Sequence, residues 1–318
     1  METRTLGSTG LEISIVGFGA WAIGGDRNAV GHWGPVDDDE SVAAIHTALS
    51  RGVNWIDTAP GYGSGHSEDV VGRVIRDIAE PPLVFTKCGF VWNERYELWV
   101  DISPGSLRTQ VDESLRRLGV ETLDLLQIHW VEPENDPEIE AAWETLAALK
   151  EAGKIQHIGV SNFDVAQLER CRQIAPVETL QPPYSLLERS VEAELLPYTA
   201  TQDIGVIVYS PMQSGLLSGR MTRERVEAFP VDDARLFDPN FLEPLLGKNL
   251  EAVERLRQAA DLHGLSPGQA AVAWTVANPA VHGAIVGFRR PDQVLDVLEA
   301  DLAITPEAAS QFAAAVAH

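Results

Sequence analysis

"LDLLQIHWVEPENDPEIEAAWETLAALKEAGKIQHIGVS", residues 123–161, holds two short apolar runs separated by one amphipathic segment. The runs at 123–130 and 155–161 are apolar for most of their length instead of alternating, the pattern of strands buried on both faces. Between them Ile139, Trp143, Leu146 and Leu149 recur at helical spacing, and Gly153 follows as a stop. Asp136-Pro137 reads as the N-cap and first position of that helix. Strand, helix, strand in this order predicts a parallel crossover unit, because parallel neighbours need a connection long enough to return along the sheet.

The same grammar recurs along the chain. Further apolar or β-branched runs fall at 13–19, 53–58, 83–88, 177–183, 205–211 and 283–288, giving eight with the first two. Ser103-Pro104 opens a helix with Leu107, Val111, Leu115 and Leu118 on one stripe and Gly119 past its end; Asp164 and Ser266-Pro267 begin two more. Eight such units predict an α/β fold, a closed (β/α)8 TIM barrel. An open Rossmann sheet is disfavoured, since no GxGxxG follows the first strand to receive a pyrophosphate. "TRTLGSTGLEIS" (3–14) predicts a β-hairpin ahead of the barrel. Residues 219–247 form a long loop after strand seven, and a loop of that length in a compact fold is more often functional than idle. No repeat, low-complexity tract or second domain stands out, so residues 1–318 read as a single barrel domain.

Composition excludes several partners. The chain has 24 basic and 47 acidic residues, a formal net charge of −23, which repels nucleic-acid backbones and anionic membrane surfaces. Cys88 and Cys171 are far apart, without a CxxC or a histidine at zinc spacing, so neither a disulfide scaffold nor a metal site is expected. The polar start "METRTLGSTG" lacks the features of a signal peptide, and no apolar stretch is long enough to span a membrane. A cytoplasmic protein is the expectation.

In a (β/α)8 barrel, active sites lie at the C-terminal ends of the strands. There the sequence places Asp57, Lys87, His129, Ser161-Asn162, Gln181 and Tyr209-Ser210, with Tyr62 on the glycine-rich loop after Asp57. Singly, each has a plain structural explanation: Asp57 as a turn former, His129 as a satisfied core histidine, Tyr62 as surface. Lys87 is harder to explain so, being one of four lysines among twenty arginines and ending an otherwise apolar strand. A phenol is a weak proton donor near neutrality, with a pKa of ~10. An adjacent ammonium is expected to lower that value, with an aspartate holding the ammonium charged and a histidine orienting a carbonyl. Such a constellation protonates an oxygen while hydride reaches the carbon, and the hydride has to come from a cofactor.

At this point the chain resembles the aldo-keto reductases, in their bacterial and potassium-channel-β-like branch. "DTAPGYGSGHSE", "LVFTKCG", "LDLLQIHW", "GKIQHIGVSNF", "LQPPYSLLER", "VIVYSPMQSGLLSG" and "AIVGFRRPDQV" match its motifs in order. The resemblance implies Tyr62 as general acid, Asp57 and Lys87 as its tuning pair and His129 as substrate orienter. It implies NADP(H) as cofactor, with Ser161, Asn162 and Gln181 on the nicotinamide carboxamide and Tyr209 stacked on the ring. Ser210, Pro211, Gln213, Gly215, Leu216, Ser218, Gly219 and Arg220 would wrap the pyrophosphate. Arg289, flanked by Arg290, would meet the 2′-phosphate, and Gln293 and Asp296 the adenosine. Trp21, Asp57 and Gly287 complete the cofactor set.

Trp21, Tyr62, Trp92, His129 and Trp130 would wall a pocket for a small carbonyl or sugar, with Trp33 in a neighbouring mouth loop. Where the family often carries Glu-Asn in the adenosine segment, this chain has Asp296-Val297. The implied activity is reduction of aldehydes or ketones, or its reverse on a sugar or alcohol. A regulatory subunit of the channel-β type is the reading from another class, and nothing in the sequence suggests a channel partner.

Overall fold

The computed structural model describes residues 1–28 and 32–317. Thr3–Thr5 (β1) and Glu12–Ser14 (β2) pair antiparallel, the hairpin expected at the N-terminus. The apolar run at 13–19 is therefore divided. Its first residues belong to the hairpin and its last to the barrel, with Ser14 Oγ bonding Val16 O across the break at 2.7 Å.

The barrel begins with β3 (Val16–Gly19), β4 (Trp55–Asp57) and β5 (Leu83–Cys88). After a small hairpin of β6 (Phe90–Trp92) and β7 (Leu98–Val100), it continues with β8 (Leu123–Ile128) and β9 (Ile155–Ser161). The remaining strands are β10 (Thr179–Gln181), β11 (Gly205–Val208) and β12 (Gly283–Gly287), which pairs back onto β3. All barrel pairs are parallel and the sheet is closed, so the chain is a (β/α)8 TIM barrel.

Helices α1 (Asp38–Ser50), α2 (His66–Arg76), α3 (Pro104–Leu118) and α4 (Ile139–Glu151) cover the first half. The second half carries α5 (Val165–Arg172), α6 (Leu195–Thr201), α7 (Arg223–Glu227) and α8 (Leu245–Asp261). Then come α9 (Pro267–Val276), α10 (Pro291–Leu298) and α11 (Pro306–Val316). Asp164 and Ser266 cap α5 and α9 with reciprocal capping boxes to Gln167 and Gln269. Asp136 does not cap α4. A 3-10 turn at Asp136–Glu138 precedes the helix, and the carboxylate instead receives Gln167 and Arg170. Two donors from α5 outcompete the local cap.

The barrel interior is layered by the two-residue period of its strands. Trp55, Phe85, Leu125, Ile207 and Ile285 form an apolar layer closed from below by Leu6 and Ile13 of the hairpin region. Two residues onward the chain carries Asp57, Lys87, Gln127 and Gly287 in the same strands and Tyr209 just past the end of β11. Alternation therefore turns one apolar layer into a polar one at the C-terminal mouth. The long loop after β11 is ordered by its own apolar cluster, in which Leu216, Met221, Val226, Phe241 and Leu246 are buried. Among the described residues no helix is long and apolar enough to cross a membrane.

Candidate active site

Lys87 is 1% exposed and Asp57 2%, both deep in the polar layer. The ammonium has three N–H donors and each is used. Nζ donates to Asp57 Oδ1 at 2.6 Å, to the Thr58 carbonyl at 3.0 Å and to Tyr62 Oη at 3.1 Å. The other Asp57 oxygen accepts from Gln181 Nε2 at 2.9 Å, whose second bond goes to Gln127 Oε1 at 2.9 Å. His129 stands edge-on to the Tyr62 ring, centroids 5.5 Å apart, and edge-on to Phe90 at 5.0 Å.

Tyr62 reaches this point because two glycine segments touch backbone to backbone. A Cβ on Gly63, whose φ is +62°, would lie 1.8 Å from the Gly24 carbonyl oxygen; one on Gly24 would lie 2.9 Å from the Tyr62 carbonyl carbon. Only glycine permits that approach. Asn28 pins the same loop, donating to Gly61 O at 2.9 Å and accepting from Ser64 Oγ at 2.7 Å.

Burial sets the protonation of all four groups. It pushes the Tyr62 phenol well above its ordinary range, with the Asp57 charge adding to it. The net direction is upward, so the phenol keeps its proton in the resting site, with Lys87 Nζ donating to its oxygen. Burial also raises Asp57 and lowers Lys87, opposed in each case by the charge of the other. His129 is held well below the usual histidine value by burial and then by Lys87, so its imidazole is neutral.

From this cluster a groove of about 970 Å³ runs across the barrel mouth to β12 and α10. Most of the residues expected to hold a dinucleotide line it: Trp21, Asp57, Ser161, Asn162, Gln181, Tyr209, Ser210, Pro211, Gly215, Ser218, Arg220, Gly287, Arg289, Gln293 and Asp296. Gln213, Leu216 and Gly219 do not reach its wall. Gln213 accepts from Ser185 Oγ, Leu216 is buried in the loop's apolar cluster, and Gly219 packs under Arg257 and Pro267. Trp92 is also absent from the wall, its ring lying 5.6 Å from the Arg117 guanidinium. Phe90 and Leu98, from the same hairpin, line the mouth with Trp33 and Trp130. Sequence reasoning missed Phe90, Gln127 and Asn28; the two-residue alternation from Leu125 was a signal for Gln127, and Asn28 had none.

Several groove side chains are already engaged. Both Asn162 amide hydrogens are used, on His129 O and Ser161 Oγ, and its oxygen accepts from Tyr209 Oη at 2.8 Å. Arg220 pairs with Asp296 at 2.5 Å, and Arg290 with Asp292. Arg289 has no carboxylate partner among the described residues; its guanidinium donates to the backbone carbonyls of Trp33, at 2.9 Å, and Pro35. Burial, with Arg290 and Arg235 nearby, lowers its pKa. Among the described residues, Trp33 Nε1 and His129 Nδ1 are the buried side-chain polar atoms without a hydrogen-bond partner, and both residues line this groove.

Known proteins agree with the architecture. A model of the Aldo/keto reductase family matches residues 15–317. The aldo-keto reductase YhdN of Bacillus subtilis is 38% identical over 297 residues, covering 92% of this chain and 87% of that one. The NADH-specific methylglyoxal reductase of Escherichia coli is 34% identical, covering 92% of this chain and 91% of its own. The glycerol dehydrogenase AKR11B4 from Gluconobacter oxydans superposes with a TM-score of 0.85 at 38% identity, covering 96% of this chain and 92% of that one. With a matching barrel, a buried Asp–Lys–Tyr cluster and near-complete coverage, this chain belongs to the aldo/keto reductase family, oxidoreductases of carbonyl and alcohol substrates that use nicotinamide cofactors.

Proposed function

We propose that this protein is an NADP(H)-dependent aldo-keto reductase that reduces aldehyde or ketone carbonyls, or runs the reverse, with Tyr62 as proton donor. The observation that carries the reading is the direction of one hydrogen bond. All three Lys87 hydrogens are committed, one of them to Tyr62 Oη, so the phenol oxygen accepts from Lys87 and its own proton is free to face the groove. A neutral His129 has its own N–H to offer a carbonyl oxygen beside that proton. The same reading takes residues 1–318 as one barrel domain acting on a small carbonyl or sugar.

The groove's donor set suits a dinucleotide. Its polar end by Ser161 and Gln181 matches a carboxamide, and its far end holds Arg289 without a counter-ion. Gln181 gives both amide hydrogens to Asp57 and Gln127, so it keeps its oxygen for a ligand while fixing the carboxylate that holds Lys87. When bound, the cofactor supplies the hydride. Tyr62 supplies the proton to the carbonyl oxygen, Lys87 steadies the phenol oxygen as its proton leaves, and Asp57 balances the lysine charge.

The fold does not fix cofactor choice, since one relative is NADH-specific by name. Here the preference for NADPH rests on Arg289, whose planar fork suits a 2′-phosphate better than a ribose hydroxyl. Charge-assisted bonds of this kind contribute roughly 1.5–3 kcal/mol, or about ten- to over a hundred-fold. Arg289→Ala is expected to weaken NADPH by that factor and NADH far less, read as dissociation constants by fluorescence quenching. Equal affinities in the parent would sink the preference, and unchanged NADPH affinity in the variant would move the contact to Arg235 or Arg290.

The depressed His129 pKa sets a pH dependence. The imidazole takes a proton only well below ~6.5, so kcat/KM for reduction is expected to run flat from about pH 6 to pH 8. An acid limb centred near 6.5, present in the parent and absent from His129→Asn, would show that the histidine is charged during turnover.

A further inference from the structure

A second cleft, of about 430 Å³, shares no lining residue with the groove and is formed by α2, α3, the start of α1 and Arg27. Five arginines line it: Arg27, Arg73, Arg76, Arg116 and Arg117. In a chain with 24 basic residues and a net charge of −23, that is the opposite of the prevailing surface. Two carboxylates, Asp38 and Asp69, share the lining, and Asp38 is engaged by His66 at 2.8 Å.

We propose that this cleft binds a small, multiply charged phosphate anion. A basic residue in the last turn of a helix offsets the carbonyl end of that helix, and Arg73, Arg76, Arg116 and Arg117 all occupy such turns. That accounts for the placement of two arginines at each of the two helix ends. It does not account for five guanidiniums sharing one concave surface with only two carboxylates, an excess of positive charge that a bound anion would offset.

The ion-pair pattern shows which charges are left over. Arg73 bonds Asp39 at 2.8 Å and lies 4.0 Å from Asp38, while Arg27, Arg76 and Arg116 have no carboxylate within ion-pairing distance among the described residues. Arg117 is 6% exposed and its Nε is committed to Glu68 at 2.7 Å. Its Nη groups reach Glu113 at 3.4 Å and Ser114 Oγ at 3.5 Å, both long bonds, so a buried guanidinium keeps slack donors. Arginine forks pair two ways with phosphate oxygens, which favours a phosphate over a carboxylate or chloride. The cleft's size favours a small ligand, and the charge of the whole chain repels an extended polyanion.

The test is calorimetric titration of inorganic pyrophosphate into the full chain at low ionic strength. The parent and Arg289→Ala are expected to bind it saturably and alike, because Arg289 belongs to the groove. The double variant Arg76→Gln/Arg116→Gln is expected to lose at least tenfold in affinity, with melting temperature and carbonyl turnover unchanged. Arg117 is left in place because it covers the buried Glu68 carboxylate. No saturable binding, or equal affinity in the double variant, overturns the proposal. Loss in Arg289→Ala alone puts the anion in the groove and overturns it too, and so does tighter binding of a short DNA duplex than of pyrophosphate.

Discussion

Lys87→Met is expected to lower turnover toward the upper end of the ~10²–10⁴-fold range for lost general-acid assistance, with cofactor affinity within a few-fold of the parent. Methionine fills the lysine's volume but offers no donor. Tyr62 Oη then loses the bond that steadies it as its proton leaves, and the Thr58 carbonyl loses its partner. Asp57, 2% exposed, keeps Gln181 and loses its counter-ion. Breaking one side of a buried ion pair typically costs about 3–5 kcal/mol, so stability has to be separated from chemistry. The double variant Lys87→Met/Asp57→Asn removes both charges and is expected to recover much of the melting temperature while staying inactive. Stopped-flow turnover near the parent's in Lys87→Met would refute the assigned proton path.

Tyr62→Phe is expected to cost at least ~10² in turnover with almost no change in melting temperature. Phenylalanine retains the ring's edge contact with His129 and removes only the oxygen that Lys87 addresses. The surrounding loop is held by Asn28 and by the Gly24–Gly63 contact, neither of which involves the hydroxyl. The loss should therefore fall on kcat, with cofactor binding intact in equilibrium titration. Turnover within a few-fold of the parent would mean that a different group delivers the proton.

The residues behind both predictions were legible to different degrees. Asp57 and Lys87 stand at the ends of apolar runs, two residues beyond Trp55 and Phe85, so the alternation of the strands alone points them into the mouth. Tyr62 was legible as a residue type on a glycine loop, but its position comes from contact with Gly24, far from it in sequence. The substrate wall was read in part: Trp21, Trp33 and Trp130 line the groove, whereas Trp92 lies over Arg117 and Phe90 takes a place at the mouth. A hairpin of three-residue strands carries too little periodic signal to say which of its side chains faces inward.

By itself the sequence determined the (β/α)8 barrel and which polar residues end its strands. Both follow from periodicity and residue type within a few positions, which is information local to the chain. The tertiary structure alone decided whom each polar group meets. Gln181 reaches Asp57 across 124 positions, and Arg289 reaches the Trp33 carbonyl across 256. Arg220 and Asp296 pair with each other in the groove wall, and Asp136 answers Arg170 in place of its own helix. The energy of such a group depends on burial and on its nearest charges, and closing the barrel creates both.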